Sequence, residues 1–335
     1  MKLTKWQSIS KMIITVLIPV LLLAACGTGG GSNSGGGNEK AAGNGNGTDT
    51  HSQKIVFADA GWGSIRFHNW VARTIIEEGY GFPTGVTQGS SPVTILGLQN
   101  GDIDVYMEIW TQNVEEPWQK ALKSGKVKQV SVNYDDNKQG LYVPTYVIEG
   151  DSERGIQPMA PYLKTTKDLL KYADLFEGRI VGAPLGWSVE SVCKQQMEKY
   201  GLKGKYEYFS PGSGTSLKAS LKRAYEDGKP WVGYMWGPTW ILGKYDMTLL
   251  EGSFPQNDVL VAIHKKLSDQ APKVVKFLSQ YETSAALTNA ALAYMHKNEA
   301  SPEEAAKWFL RNHEELWMKW VPKNIAQKVK TAIQK

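Results

Sequence analysis

Lys54-Ile55-Val56-Phe57-Ala58 is a short apolar run of strand type, and the polar loop Asp59-Ala60-Gly61-Trp62-Gly63-Ser64 follows it. Residues 65–79 then place Ile65, Trp70, Val71, Ile75 and Ile76 at helical spacing before Gly79. Val86-Thr87-Gln88 predicts a short strand, and 93–99 a helix that stops at Asn100-Gly101. Ile103-Asp104-Val105-Tyr106-Met107 predicts a third strand, with Glu108-Ile109-Trp110 at its carboxyl end. Strand–helix–strand–helix–strand over 54–110 implies a parallel sheet with crossover helices. Ligands bind outside the carboxyl ends of such strands, where Trp62 and Trp110 both fall.

The alternation repeats further on. Residues 115–128 read as helix, 130–134 as extended, and 140–147 as a strand that makes the first crossing between two lobes. A helix over 166–175 leads to a strand at 179–183, which ends in Gly186-Trp187-Ser188. A helix over 189–200, a strand over 206–209 and a helix running through Tyr225 precede Trp231-Val232-Gly233-Tyr234-Met235-Trp236-Gly237-Pro238-Thr239-Trp240. That last run reads as a buried strand presenting Trp236 at a Gly-Pro turn. Gly243-Lys244-Tyr245-Asp246 carries the chain back, 259–264 is a strand, and the rest is helical over 270–281, 283–297 and a helix opened by Ser301-Pro302. Trp308, Phe309, Leu316, Trp317 and Trp320 sit at helical spacing with no turn to expose them, and read as core.

The amino terminus has a different pattern. Lys2, Lys5 and Lys11 precede an apolar stretch over 12–23, which is of signal-peptide length and too short for a comfortable membrane span. Leu23-Ala24-Ala25-Cys26 resembles a bacterial lipobox, and this implies cleavage before Cys26 and lipid on its thiol. Residues 27–53, dominated by Gly, Ser, Asn and Thr, predict a flexible tether. Only Cys193 then remains, so no intramolecular disulfide can form. The net charge of +5 falls to +2 when the three leader lysines are removed, and no arginine-rich cluster points to nucleic acid.

Candidate chemistry favours binding over catalysis. His51, His68, His264, His296 and His313 form no metal-spaced pair, and Cys193 has no neighbouring His. Gly186-Trp187-Ser188-Val189-Glu190 lacks the second glycine of a nucleophile elbow. The Gly212-Ser213-Gly214-Thr215 loop offers an anion its backbone N–H groups but lacks the lysine of a nucleotide loop. By contrast, separate turns deliver Trp62, Trp110, Trp187 and Trp236, and several ring faces can box a cation that has no N–H to donate. The same rings can stack on a sugar or fill core.

Five stretches carry a resemblance to a known family. They are Gly61-Trp62; Gly101-Asp102-Ile103-Asp104-Val105 leading into Glu108-Ile109-Trp110; Tyr142-Val143-Pro144-Thr145-Tyr146-Val147; Phe176-Glu177-Gly178-Arg179-Ile180; and Trp236-Gly237-Pro238 with Lys244-Tyr245-Asp246. Together they make the chain similar, over 54–335, to the substrate-binding proteins of glycine betaine/proline-type ABC transporters, a group that includes choline and carnitine binders. The resemblance implies an α/β, two-lobed periplasmic-binding-protein-like (type II) fold, each lobe a mixed, mainly parallel sheet with flanking helices. The expected layout is a leader over 1–25, lipidated Cys26 and tether over 26–53, lobe I over 54–140 plus 243–335, and lobe II over 141–242.

Carried over by position, Trp62, Trp110, Tyr142 and Trp236 form the cage, with Trp187 as an extra wall. The turn backbone at Gly61-Trp62 and the Ser64 hydroxyl face the ligand's polar end. Thr239 stands where betaine binders often have a carboxylate-holding His, which leaves choline or another quaternary amine open. The implied protein is a monomer without enzymatic activity, cofactor or metal, held by its lipid at the outer face of the cell membrane. It passes a quaternary ammonium ligand to an ABC permease, in the osmoprotective role that the resemblance implies. Rival readings are a binder of amino acids, polyamines or sugars on the same fold, and an exported hydrolase.

Overall fold

In the computed structural model, which describes residues 54–334 except 253, 255 and 256, ten strands form two five-stranded sheets of matching design. The leader, Cys26 and the tether lie outside the described residues. The first sheet contains β1 (Ile55–Asp59), β2 (Thr84–Gln88), β3 (Val105–Trp110), β4 (Val127–Tyr134) and, from late in the chain, β10 (Val259–His264). The second contains β5 (Lys138–Pro144), β6 (Arg179–Val181), β7 (Glu207–Phe209), β8 (Gly233–Gly237) and β9 (Met247–Leu249). Their orders are β2-β1-β3-β10-β4 and β7-β6-β8-β5-β9. In each sheet one strand, β10 or β5, is antiparallel to both its neighbours, while the other strands share a direction.

Local chemistry explains the first βαβ unit. Alternate burial in β1 puts Ile55 and Phe57 in a core with the C-terminal helices, and Ala58 in the core toward the cleft. Gly101 ends the helix Ser91–Asn100 at φ +87°, a conformation that glycine adopts without steric cost. Three residues on, the buried Asp104 carboxylate accepts the Val56 N–H at 2.9 Å and pairs with Lys266 at 3.2 Å. The Gly-Asp-Ile-Asp signature is therefore a structural clamp between β1, β3 and the end of β10.

Trp317 is fully buried, its indole donating to the Leu310 carbonyl at 2.7 Å, and Trp320 is buried with it as their spacing predicts, while Trp308 packs half-buried against this core. Ser301 caps the helix Pro302–Asn312 in a reciprocal box with Glu304. Sheet membership corrects the expected crossings. The chain leaves the first sheet at 135–137 and returns at 250–258, because β5 begins at Lys138 and β9 still belongs to the second sheet. Gly243–Asp246 therefore does not carry the chain back. The strand expected over 140–147 ends at Pro144, where the helix Thr145–Glu149 begins.

Candidate ligand-binding site

All four turn-borne tryptophans converge. Trp62 follows β1 and Trp110 ends β3 in the first sheet; Trp187 follows β6 and Trp236 lies near the end of β8 in the second. With Tyr106 and Tyr234 they line one pocket between the sheets. The hollow amounts to about 420 Å³ with its mouth included, yet only about 30 Å³ has room for the centre of a water molecule, so the rings stand close together. Among the described residues, Ser91, Asn113 and Ser188 supply the polar lining, and no charged side chain or histidine faces it.

The rings meet edge to face. Trp62 and Trp187 have centroids 5.5 Å apart at 78°, and Trp187 and Trp236 5.0 Å apart at 82°. Tyr234 stacks beside Trp236 at 5.9 Å and 16°. Gly61 and Gly214 both abut Trp187: a side chain at Gly214 would start 3.0 Å from its ring. The Gly212–Thr215 loop, read from sequence as an anion site, thus also makes room for this tryptophan. Across the cleft, the Ser91 N–H donates to the Gly186 carbonyl at 3.2 Å, and Trp240 stacks on His296 at 3.6 Å and 10°. Both contacts join residues on opposite sides of the cleft.

Beneath the first-sheet rings lies a carboxylate. Glu108 is wholly buried, and its Oε1 accepts hydrogen bonds from the Ser64 hydroxyl at 2.9 Å, the Trp110 indole at 3.0 Å and the Tyr134 hydroxyl at 2.7 Å. Among the described residues its Oε2 has no partner, and neither does the Trp62 indole N–H, which lies close enough to favour the charge but outside hydrogen-bonding geometry. Burial pushes the Glu108 pKa up to about 7 despite these donors.

Other expected contacts are arranged differently. The Ser64 hydroxyl is turned to Glu108, and the Gly61 N–H, at φ +101°, is held by Asp59 at 2.8 Å, so buried carboxylates claim the donors expected to face the ligand. Tyr142 is buried on β5 opposite Gly233, and Thr239 is buried at the start of the helix Trp240–Lys244; neither lines the pocket. Sequence reasoning missed Tyr106 and Tyr234. Both were legible, because they share a strand face with Trp110 and Trp236 by two-residue periodicity.

The two-lobed α/β fold with a cleft at the carboxyl ends of its strands is that of a type II solute-binding protein. Residues 53–312 match the family described as the substrate-binding domain of ABC-type glycine betaine transport systems, and the chain belongs to that family. It is similar to a choline-binding protein of an ABC transporter solved with choline, at 25% identity and TM-score 0.72, covering 84% of this chain and 98% of that one. The glycine betaine-binding periplasmic protein OusX of Dickeya dadantii is 24% identical over 244 residues, 63% of this chain and 71% of that protein. The glycine betaine/carnitine transport binding protein GbuC of Listeria monocytogenes is 23% identical over 168 residues, 48% of this chain and 54% of that protein. Its relatives and fold are those of transport binding proteins and not of enzymes.

Proposed function

We propose that this chain captures a quaternary ammonium compound between the rings of Trp62, Trp110, Trp187 and Trp236 and delivers it to an ABC permease. Lipid on Cys26 would hold it at the outer face of the membrane, with 27–53 as tether. The observation that carries the reading is the convergence of four tryptophans, from four turns and two sheets, on one uncharged pocket. A trimethylammonium group has no N–H to offer, so ring faces are its natural partners, at roughly 0.5–2 kcal/mol each when water is excluded. The close-set rings imply that entry requires the lobes to part, and re-closure stabilises the bound state through the ligand's preference for it.

Titrating glycine betaine, proline betaine, choline and carnitine into the purified protein, with tryptophan fluorescence and calorimetry as readouts, tests this. A saturable response to one of them, lost in Trp236→Ala, supports the cage. Silence with all of them in both readouts rejects a quaternary amine as the ligand.

A further inference from the structure

We propose that Glu108 is the counter-charge of the site, a buried positioning residue that fixes the first-sheet rings and makes the cage select ligands of net positive charge over zwitterions. The inference rests on the quaternary-amine reading above and deepens it.

Three observations carry it. Glu108 and Trp110 lie on the same face of β3, and the carboxylate accepts the Trp110 indole N–H at 3.0 Å, so its position sets that ring's orientation. The Trp62 N–H lies beside the same group, so a single carboxylate underlies two walls of the cage. Second, among the described residues, the groups packed around it from neighbouring elements supply no cation. They are Ser64 from the helix Gly63–Thr74, Tyr134 from β4, Tyr106 on its own strand and Tyr281 before the helix Ala285–Asn298. His68, whose Nδ1 meets the Tyr281 hydroxyl at 2.9 Å, is held neutral by burial, with its pKa lowered to about 3. Asp59, which also faces Tyr106, is paired with Arg66 at 2.8 Å. A negative charge at Glu108 is therefore stabilised by hydrogen-bond donors but not neutralised.

Third, the pocket adjoins a wider cleft, about 1500 Å³ with its mouth included against about 420 Å³, that shares Asn113, Val114, Trp187 and Ser188 with it. Glu115, Glu116 and Glu190 line that cleft; Glu190 pairs at 2.7 Å with Lys194, the one cationic side chain among the lining residues, which leaves Glu115 and Glu116. The approach thus has the same sign as the buried group. A net cation gains from both. A zwitterion brings its own carboxylate into the same field, with no Lys, Arg or His in the lining to receive it.

Burial holds Glu108 partly protonated near neutrality, and a cation in the cage favours its charged form. Binding of choline should therefore release a proton at and below neutral pH, and affinity for choline should rise with pH through the neutral range and then level off. Glycine betaine should show a weaker dependence.

Calorimetric titration of choline and of glycine betaine, into wild-type protein and Glu108→Gln, at several pH values and in two buffers of different protonation enthalpy, tests the proposal. We expect proton release with choline in the wild type. In Glu108→Gln we expect at least a tenfold loss of choline affinity, a smaller change for glycine betaine, and a flat pH profile. The wild-type proton count stands even if the variant does not fold. Tight choline binding without proton release, or a folded Glu108→Gln with unchanged selectivity, overturns the proposal and leaves the quaternary-amine reading in place. No binding of choline or glycine betaine to the wild type overturns the proposal, and silence with proline betaine and carnitine as well overturns the quaternary-amine reading too.

Discussion

Trp62 and Trp187 meet edge to face across the cleft, 5.5 Å apart at 78°, although they follow strands of different sheets. Trp187 also meets Trp236 at 5.0 Å, so it is the ring that links the two lobes' contributions. Replacing it by alanine removes an edge from two neighbours and a wall from the pocket. We expect Trp187→Ala to weaken ligand binding about tenfold, on the order of one cation–π contact and its lost ring packing. Calorimetry against the preferred ligand measures this; unchanged affinity would show that Trp187 is only packing.

A second ring pair spans the cleft away from the cage. Trp240, in the helix Trp240–Lys244, lies flat on His296 of the helix Ala285–Asn298 at 3.6 Å. Partial burial, then Lys244, Lys222 and Lys218, keep the His296 pKa below its ordinary value, so the ring stacks as neutral imidazole at neutral pH. Such a stack contributes roughly 0.5–1.5 kcal/mol and can form only while the lobes are together. Trp240→Ala should therefore speed ligand dissociation about two- to tenfold with the association rate little changed. Stopped-flow fluorescence resolves the two rates, and an unaltered dissociation rate would remove the stack from the closing machinery.

Stability against pH should reveal two buried groups working in opposite directions. Glu108 has a folded pKa of about 7 against an ordinary 4.5. Across that window the native protein keeps a proton the unfolded chain releases, so stability falls as pH rises. His68 has a folded pKa of about 3 against an ordinary 6.5, so below 6.5 the unfolded chain takes up a proton the native one refuses, and stability falls as pH drops. Each shift is worth a few kcal/mol at most, from about 1.4 kcal/mol per unit. Between about pH 4.5 and 6.5 the two slopes oppose. Ligand-free wild type should thus melt at a nearly constant temperature there, while Glu108→Gln gains stability steeply with rising pH. Parallel melting profiles for the two proteins would mean that Glu108 ionises as an ordinary carboxyl group.

The first βαβαβ run was legible because each element carries a clear period and a Gly stop, and the tryptophans were legible because they sit beside glycines at strand ends. What escaped the sequence has physical causes. β9 is three half-buried residues, too short to show alternation, so the return crossing was placed early. Residues 145–149 contain the strand formers Tyr146, Val147 and Ile148. Pro144 and the Asp246 contacts to Thr145, both at 3.0 Å, break the strand and start a helix there. The role of Glu108 is set by Ser64 and Tyr134, 44 and 26 residues away, and no local spacing announces such a meeting.

Gly214 offers a way to move one cage ring without touching it. A Cβ there would stand 3.0 Å from Cη2 and 3.2 Å from Cζ2 of Trp187, closer than ordinary contact. The backbone at Gly214 is not left-handed, and the residue opens a helix capped by Ser213, so alanine suits the local conformation. Alanine also favours helix over glycine by up to about 1 kcal/mol. Gly214→Ala should therefore leave the melting temperature unchanged or raised while weakening ligand binding several-fold, because Trp187 must shift. If the loss works through Trp187, it should vanish in a Trp187→Ala background, where the new methyl group has no ring to displace. A loss that persists undiminished in that background would instead place the effect in the loop 210–213 itself.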